Sequence, residues 1–301
     1  MSNVATGEAT RAVGSIFRSV ITVTHGDNLE LLPTLPDASF ELIYVDPPFN
    51  TGRTQQRVQT RTRRDAVGDR TGFGGKRYTT EVVGTESYAD QFDDYAAFLA
   101  PRLLEARRVL SATGSLFVHL DSREVHYVKV MLDGVFGRAS FMNEIIWAYD
   151  YGGRSKKKWP AKHDTILWYA KDPTRYTFQS DESDRLPYMA PGMVTPEKRA
   201  RGKLPTDVWW NTIVSPTGKE KTGYPTQKPL AILERIVKVH SKPGDRLLDF
   251  FAGSGSFGDA ADRHGRDVML MDSNLAAIQV MRKRFEGRGV RFVVGRKVGS
   301  K

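Results

Sequence analysis

Two apolar runs, each cut off by an acid and a loop that cannot continue a strand, constrain this chain more than anything else in it. Phe40-Glu41-Leu42-Ile43-Tyr44-Val45 ends in Asp46-Pro47-Pro48-Phe49, and Arg246-Leu247-Leu248 ends in Asp249-Phe250-Phe251-Ala252-Gly253-Ser254-Gly255. Short runs that are mostly apolar on both faces belong to buried parallel strands. The loops at the carboxyl ends of such strands are where open α/β sheets bind ligands.

The rest of the chain supplies the alternation such a sheet needs. Strands are predicted at Val20 to Val23, Gly114 to Leu120, Thr165 to Ala170 and Asp267 to Met271, and a further one opens at Glu144 to Trp147. Helices are predicted at Leu29 to Leu35, Phe92 to Leu110 with a kink or break at Pro101, Val125 to Phe136, Leu230 to His240, after Gly255, and at Leu275 to Phe285. Strands and helices alternating on this spacing predict an α/β fold, a doubly wound, mostly parallel sheet. A single unit over 1–301 is expected, with a catalytic half at 20–150 and a cofactor-binding half at 225–301. Between them, 151–224 is broken by prolines and reads as an irregular, substrate-reading insertion.

The formal charge of +10 is more than an enzyme of small anionic metabolites needs and suits a protein that neutralises the phosphates of a polymer. Part of that charge is concentrated in Arg53, Arg57, Arg61, Arg63, Arg64, Arg70, Lys76 and Arg77, against only Asp65 and Asp69 in the same stretch. With almost nothing apolar to bury, 53–80 reads as a mobile basic loop that orders on a polyanion. The absence of cysteine excludes disulfides and thiolate zinc sites, and the histidines show no paired ligand spacing, so no metal is expected. Neither a secretion signal nor a membrane span is visible, and a cytoplasmic location is expected.

Gly253-Ser254-Gly255-Ser256-Phe257-Gly258 satisfies the G-x-G-x-x-G dinucleotide pattern, a weak signal when alone. Asp249 decides against a dinucleotide. A carboxylate at the strand end repels a diphosphate but attracts an ammonium group, and S-adenosylmethionine carries an amino-acid tail and a sulfonium cation. Asp272, 23 residues further on (272 − 249), stands where an acid accepts hydrogen bonds from ribose hydroxyls; alone it would equally suit a helix cap. Asp27 also ends a strand, where it suits either an adenine edge or ordinary turn chemistry.

The Asp46 string answers a different chemical need. An exocyclic amino group on adenine or cytosine is a poor nucleophile because its lone pair is delocalised into the ring. A carboxylate from Asp46 accepting one N–H, and the Pro47 carbonyl accepting the other, would localise that pair and aim it at a methyl donor. Pro47 and Pro48 remove backbone donors, and Phe49 offers a flat face to an extruded base. A stiff turn with a buried aromatic would account for an isolated copy of the string.

With both strings present, the chain resembles the amino-methylating DNA methyltransferases whose catalytic motif precedes the cofactor motif, the beta class. Asp46-Pro47-Pro48-Phe49-Asn50-Thr51-Gly52 resembles the catalytic motif and Asp249 to Gly255 the cofactor motif. Tyr224-Pro225-Thr226-Gln227-Lys228-Pro229, with Lys242-Pro243-Gly244-Asp245, resembles the segment leading into the cofactor strand. The resemblance implies the Rossmann-like methyltransferase fold and S-adenosylmethionine as cofactor. It gives catalytic and base-holding roles to Asp46, Pro47, Pro48 and Phe49, and cofactor contacts to Phe251, Ala252, Gly253, Ser254 and Gly255 beside Asp27, Asp249 and Asp272. Thr226 and Lys228 would sit at the methionine end, where a helix start is the plainer explanation. The family usually has Pro at Phe250, often Thr-Thr at Ser256-Phe257, and tends toward Glu at Asp272. Asp rather than Ser at position 46 resembles adenine-modifying members, which implies N6 of adenine in double-stranded DNA over N4 of cytosine.

DNA contacts are expected from Arg53, Arg57, Arg61, Arg63 and Arg64, and from Arg154, Lys156, Lys157 and Lys158; Lys198-Arg199-Ala200-Arg201 is a further basic cluster, though charge runs are usually solvated faces. Trp209-Trp210 would suit a wedge at the extruded base but better suits a core. The resemblance further implies a monomer or homodimer that is paired with a restriction endonuclease or acts alone. The competing functions are an RNA or protein methyltransferase of the same fold, a nicotinamide-dependent oxidoreductase, and a DNA-binding protein that has lost catalysis.

Overall fold

The computed structural model describes residues 19–50, 53–64, 67, 70–71, 77–90, 92, 94–215 and 218–295; Thr51 and Gly52 of the Asp46 string, Asp65, Asp69 and Lys76 of the basic run, and residues 1–18 lie outside the described residues. Nine strands form the main sheet: β1 (Ile21–His25), β2 (Phe40–Val45), β6 (Leu110–Leu120), β7 (Phe141–Ala148), β8 (His163–Ala170), β9 (Val208–Trp210), β10 (Arg246–Asp249), β11 (Asp267–Asp272) and β12 (Arg291–Val294). Their order is β12-β1-β11-β10-β2-β6-β8-β7-β9, and β8 alone runs against the rest. The doubly wound, mostly parallel sheet expected from the sequence is therefore present.

Alternation along the central strand sorts side chains onto two layers. Leu42 and Tyr44 join the core beneath α5 (Leu230–His240), α6 (Ser256–Arg263) and α7 (Leu275–Arg284). Ile43 and Val45 join the core beneath α2 (Tyr95–Val109) and α3 (Val125–Phe136), with the short α1 (Asn28–Leu31) at its rim. Helix α2 runs through Pro101 without a break. One lost backbone bond costs about 3 kcal/mol, and burial of Leu99, Leu103, Ala106 and Val109 on one face outweighs it.

The basic run departs from expectation. Rather than a loop, β3 (Arg53–Arg64), β4 (Arg70–Thr71) and β5 (Arg77–Asp90) form a three-stranded antiparallel ribbon in the order β3-β5-β4. Val58 pairs with Thr85, Thr60 with Val82 and Thr62 with Thr80, which gives the ribbon the β-branched residues that strands favour. For Arg53, Arg57, Arg61, Arg63 and Arg64 the backbone pairing is what is described. Within 151–224, β8 and β9 belong to the main sheet, and α4 (Pro196–Arg201) is the one α-helix among the described residues. No helix among the described residues is long and apolar enough to cross a membrane.

Candidate active site

Strands β2 and β10 are neighbours, with Leu247 opposite Leu42 and Leu248 opposite Ile43. From this pair the chain continues outward in opposite directions, β2 beside β6 and β10 beside β11, so a crevice opens at their carboxyl ends. A cavity of about 390 Å³ occupies it, and Asp27, Asp46, Pro47, Pro48, Phe49, Thr226, Lys228, Asp249, Phe251, Ala252, Gly253, Ser254 and Asp272 all line it. The two acid-ended loops, more than two hundred residues apart in the chain, thus face one space. Gly255 stands just behind, as the N-cap of α6.

Asp46 follows the last residue of β2, and its Oδ2 accepts a hydrogen bond from Lys228 Nζ in an ion pair. Its Oδ1 is buried and has no hydrogen-bond partner among the described residues. A buried carboxylate oxygen left open costs free energy unless a ligand donates to it. Lys228 Nζ also lies 4.9 Å from the centre of the Phe49 ring. Lys228 is not simply part of a helix start: Pro229 caps α5, and the lysine reaches back across the cavity to the acid.

The turn after Asp46 is held from several sides. Tyr95 donates its hydroxyl to the Pro48 carbonyl at 2.8 Å, so of the two proline carbonyls that one is taken by the protein. Asn50 adopts a positive φ of 51°, which asparagine tolerates better than most residues. Its amide donates to Glu124 at 2.8 Å and accepts from the Phe92 N–H at 3.0 Å. Behind Phe49 lies a buried polar chain. His119 stacks on Phe49 at 6.1 Å between centres; its Nδ1 meets the Tyr44 hydroxyl at 2.8 Å and its Nε2 meets Asp164 at 3.2 Å. Tyr149 donates to the other Asp164 oxygen at 3.1 Å. A carboxylate only accepts, so Nε2 carries the proton and Nδ1 accepts from Tyr44. Burial, the largest single effect, pushes the Asp164 carboxyl up, but the contacts with His119, the charge of Lys228 and the hydrogen bond from Tyr149 together outweigh it and hold the group below its ordinary value.

On the β10 side, Asp249 is 3% exposed and accepts from the Phe251 N–H at 2.9 Å. Burial raises its carboxyl well above the ordinary range, and the charges of Asp46 and Asp272 push the same way. Asp272 accepts from the Gly253 and Asn274 N–H groups, each at 2.8 Å, and burial raises it too. The cap of α7 is Asn274 rather than Asp272, which frees the aspartate to brace the glycine loop. Asp27 does what turn chemistry asks: it caps α1 through the Leu29 N–H and pairs with Arg102 at 3.0 Å. Arg102 and Lys228 therefore answer Asp27 and Asp46, while among the described residues Asp249 and Asp272 have no salt-bridge partner. The unbalanced carboxylates fit a cationic ligand and oppose a diphosphate.

The glycines have different reasons. Gly253 has a φ of 50°, and a Cβ there would lie 3.2 Å from the Tyr224 ring. At Gly255 the φ is 74°, and a Cβ would lie 2.8 Å from Met281 Cγ. Gly258 lets α6 lie against β11, since a Cβ would come within 2.5 Å of Leu270 Cδ1. The G-x-G-x-x-G match is met by loop conformation and helix packing, with no dinucleotide required. Arg284, buried on α7, donates to the Ser254 carbonyl at 2.7 Å and pairs with Asp259 at 3.1 Å, fixing the loop from behind.

Sequence reasoning misses Asn28, Arg102, His119, Tyr149, Asp164 and Arg284. His119 carries a signal, since a polar residue inside the apolar run Leu116-Phe117-Val118-His119-Leu120 is the informative exception. Of the expected DNA contacts, Arg154, Lys156, Lys157 and Lys158 are exposed on residues 149–162, and Lys198, Arg199 and Arg201 are exposed on α4. Trp209 is buried in the core, whereas Trp210 is 77% exposed.

Residues 40–283 match the DNA methylase family of N6 and N4 methyltransferases. The chain is 28% identical over 273 residues to the DNA adenine methyltransferase YhdJ of Escherichia coli (strain K12), covering 88% of this chain and 82% of that protein. Its fold is similar to the cytosine-N4-specific PvuII DNA methyltransferase, with a TM-score of 0.59 at 15% identity over 91% of this chain and 95% of that one. It is also similar to a putative DNA modification methylase from Thermus thermophilus complexed with S-adenosyl-L-methionine, with a TM-score of 0.56 at 21% identity over 92% of this chain and all of that one.

Proposed function

The chain belongs to the DNA methylase family, the methyltransferases of exocyclic amino groups in DNA, and we propose that it is a site-specific, S-adenosylmethionine-dependent enzyme that methylates N6 of adenine in double-stranded DNA. The observation that carries this reading is that Asp46 lines the same cavity as Asp249 and the glycine loop, with Lys228 holding its Oδ2 and its buried Oδ1 without a hydrogen-bond partner among the described residues. Asp in this position, rather than Ser, and likeness to a relative named as an adenine methyltransferase support adenine.

When bound, S-adenosylmethionine supplies an electrophilic methyl group on a sulfonium sulfur. Asp249 would give its cationic end a carboxylate surface, Asp272 would stand at its ribose, and Gly253 with Ser254 would let backbone approach it closely. The target base, out of the duplex, stacks on Phe49. Asp46 Oδ1 accepts one N–H of its amino group, and the Pro47 carbonyl accepts the second. Both contacts localise the nitrogen lone pair and direct it along the line of transfer, where orientation and electrostatics lower the barrier. Bound there, the donor would supply the methyl group, its S–C bond exchanged for the new N–C bond, and the nitrogen would shed one proton to water. Lys228 fixes the rotamer of the acid throughout.

The test incubates purified protein with unmethylated genomic DNA and S-adenosylmethionine labelled in the methyl group, followed by nucleoside analysis and mapping of the modified sites. Labelled N6-methyladenine in one sequence context is expected. Label in N4-methylcytosine would overturn the choice of base, and unchanged turnover in Asp46→Ala would overturn the assigned acid.

A further inference from the structure

Strand β7 ends at Ala148 and β8 begins at His163, and both termini lie at the same end of the sheet as Asp46, because β8 runs against β6 with Thr165 opposite Leu120. The connection between them, residues 149–162, therefore rises beside the mouth of the cavity. Its foot is tied down: the Tyr149 N–H donates to the Lys162 carbonyl at 2.9 Å, Lys162 Nζ donates to the Gly152 carbonyl at 3.0 Å, and Tyr149 reaches Asp164 in the polar chain behind Phe49.

The outer part has a different character. Four basic residues (Arg154, Lys156, Lys157 and Lys158) stand there, with no acid among 151–160. The N–H groups of Lys157 and Lys158 both donate to Ser155 Oγ at 3.2 Å, folding the tip into a turn. Immediately after it comes Trp159, 96% exposed and followed by Pro160, which limits the backbone there. An indole held in water at the end of a basic, tethered hairpin is placed for a partner that offers phosphates and flat apolar faces together. Duplex DNA has both, and base–aromatic stacking tolerates any sequence. Trp210 is also exposed, but it sits on edge strand β9 in a segment whose nearest charge is Asp207.

On the reading of the chain as a methyltransferase of duplex DNA, we propose that Trp159 enters the base stack at the position the target base vacates, with Arg154 and Lys156 to Lys158 gripping the flanking phosphates. Removing a base from the stack costs unpairing and unstacking free energy, and an inserted side chain that restacks the gap lowers that cost. Trp159 is thus a positioning residue that makes the extruded state accessible, while Phe49 receives the base inside the cavity.

The test uses the full chain and a duplex carrying the mapped site in three forms: matched, with an abasic position opposite the target, and single-stranded. Single-turnover methylation is measured for the parent, Trp159→Ala and Trp159→Phe. Fluorescence of 2-aminopurine at the target position reports extrusion. Trp159→Ala is expected to lose roughly ten- to a hundred-fold in rate on the matched duplex, and most of the fluorescence rise, yet to match the parent where no partner base must be left behind. Trp159→Phe should retain most of the rate. The side chain touches solvent, so the variant is expected to melt with the parent. Equal rates for parent and Trp159→Ala on matched duplex would overturn the proposal, as would an equal loss on all three substrates, the mark of a general contact. A parent that methylates none of the three would instead refute the reading of the activity itself, and the proposal with it.

Discussion

Replacing Lys228 with methionine tests the ion pair at the centre of the site, because it keeps the apolar stem and removes the charge. The two side chains are 8% and 15% exposed, so Asp46 would be left as a buried carboxylate with neither oxygen answered. Removing one partner of a buried pair costs about 3–5 kcal/mol. Here the pair borders a cavity of about 390 Å³ that admits water, and the effective dielectric is nearer to that of a surface site, so about 2–3 kcal/mol is expected. Urea unfolding of the parent, Lys228→Met, Asp46→Asn and the double variant gives the coupling directly. The double variant should be more stable than Lys228→Met, because it no longer buries an unpaired charge. Single-turnover methylation should fall by roughly a hundred-fold in Lys228→Met, from loss of the acid's orientation. Additive stabilities, with Lys228→Met within about 0.5 kcal/mol of the parent, would show that the pair does not hold the acid and would refute the role given to Lys228.

Other expectations follow from the same geometry. Burial, and then the charges of Asp46 and Asp272, raise the Asp249 carboxyl, so the free protein retains a proton there above the ordinary carboxylate range. A cationic cofactor favours the carboxylate, so binding should release the proton, and affinity should rise with pH through that window by up to about tenfold per pH unit before levelling off. Calorimetry in buffers of different ionisation heat measures the release; proton uptake, or a profile unaltered in Asp249→Asn, would count against it. Gly255→Ala places a Cβ 2.8 Å from Met281 Cγ at a φ of 74°. It should cost at least about 1–2 kcal/mol from backbone strain, visible as a lower melting temperature and weaker cofactor binding by equilibrium dialysis. Asp164→Asn takes a charged acceptor from His119 and Tyr149, and should lower kcat by roughly tenfold through misplacement of Phe49 while cofactor affinity stays put; parallel losses in both would mean a general structural role.

How much of this is legible in the sequence depends on whether the signal is local. Phe40–Val45 and Val125–Phe136 have the predicted limits because an apolar run or a 3.6-residue face is written into consecutive residues. Strand β9 is three residues long and exists because Trp209 pairs beside Trp147; nothing in Val208-Trp209-Trp210 alone distinguishes it from loop. The basic ribbon escapes for the opposite reason. Charge dominates the composition of 53–80 and hides the interspersed Thr and Val positions that suit it to pairing. Among site residues, motif positions are visible, whereas Arg102, Asp164 and Arg284 lie on elements whose sequence looks ordinary. Their roles come from what the sheet order puts opposite them.

The sheet also explains why the order of the two strings along the chain does not matter to the chemistry. A parallel neighbour pair needs only matching carboxyl ends, and the crossovers leading from β2 and β10 go to opposite sides. Extending the register by one pair puts Asp249 level with Tyr44, so Asp46 stands two residues further out, about 7 Å along the strand direction. The deeper acid is enclosed, 3% exposed, and braced by a backbone N–H; the outer one is braced by a lysine and has one buried oxygen without a hydrogen-bond partner among the described residues. That offset matches what a direct transfer requires, a donor seated low and an acceptor arriving from above. It also makes the two acids separable by mutation. Asp249→Asn should disturb cofactor affinity with or without DNA, whereas Asp46→Asn should leave that affinity intact and stop transfer. If both variants lost cofactor binding alike, the two acids would be serving one ligand, and the division of the cavity into a donor floor and a base ceiling would be wrong.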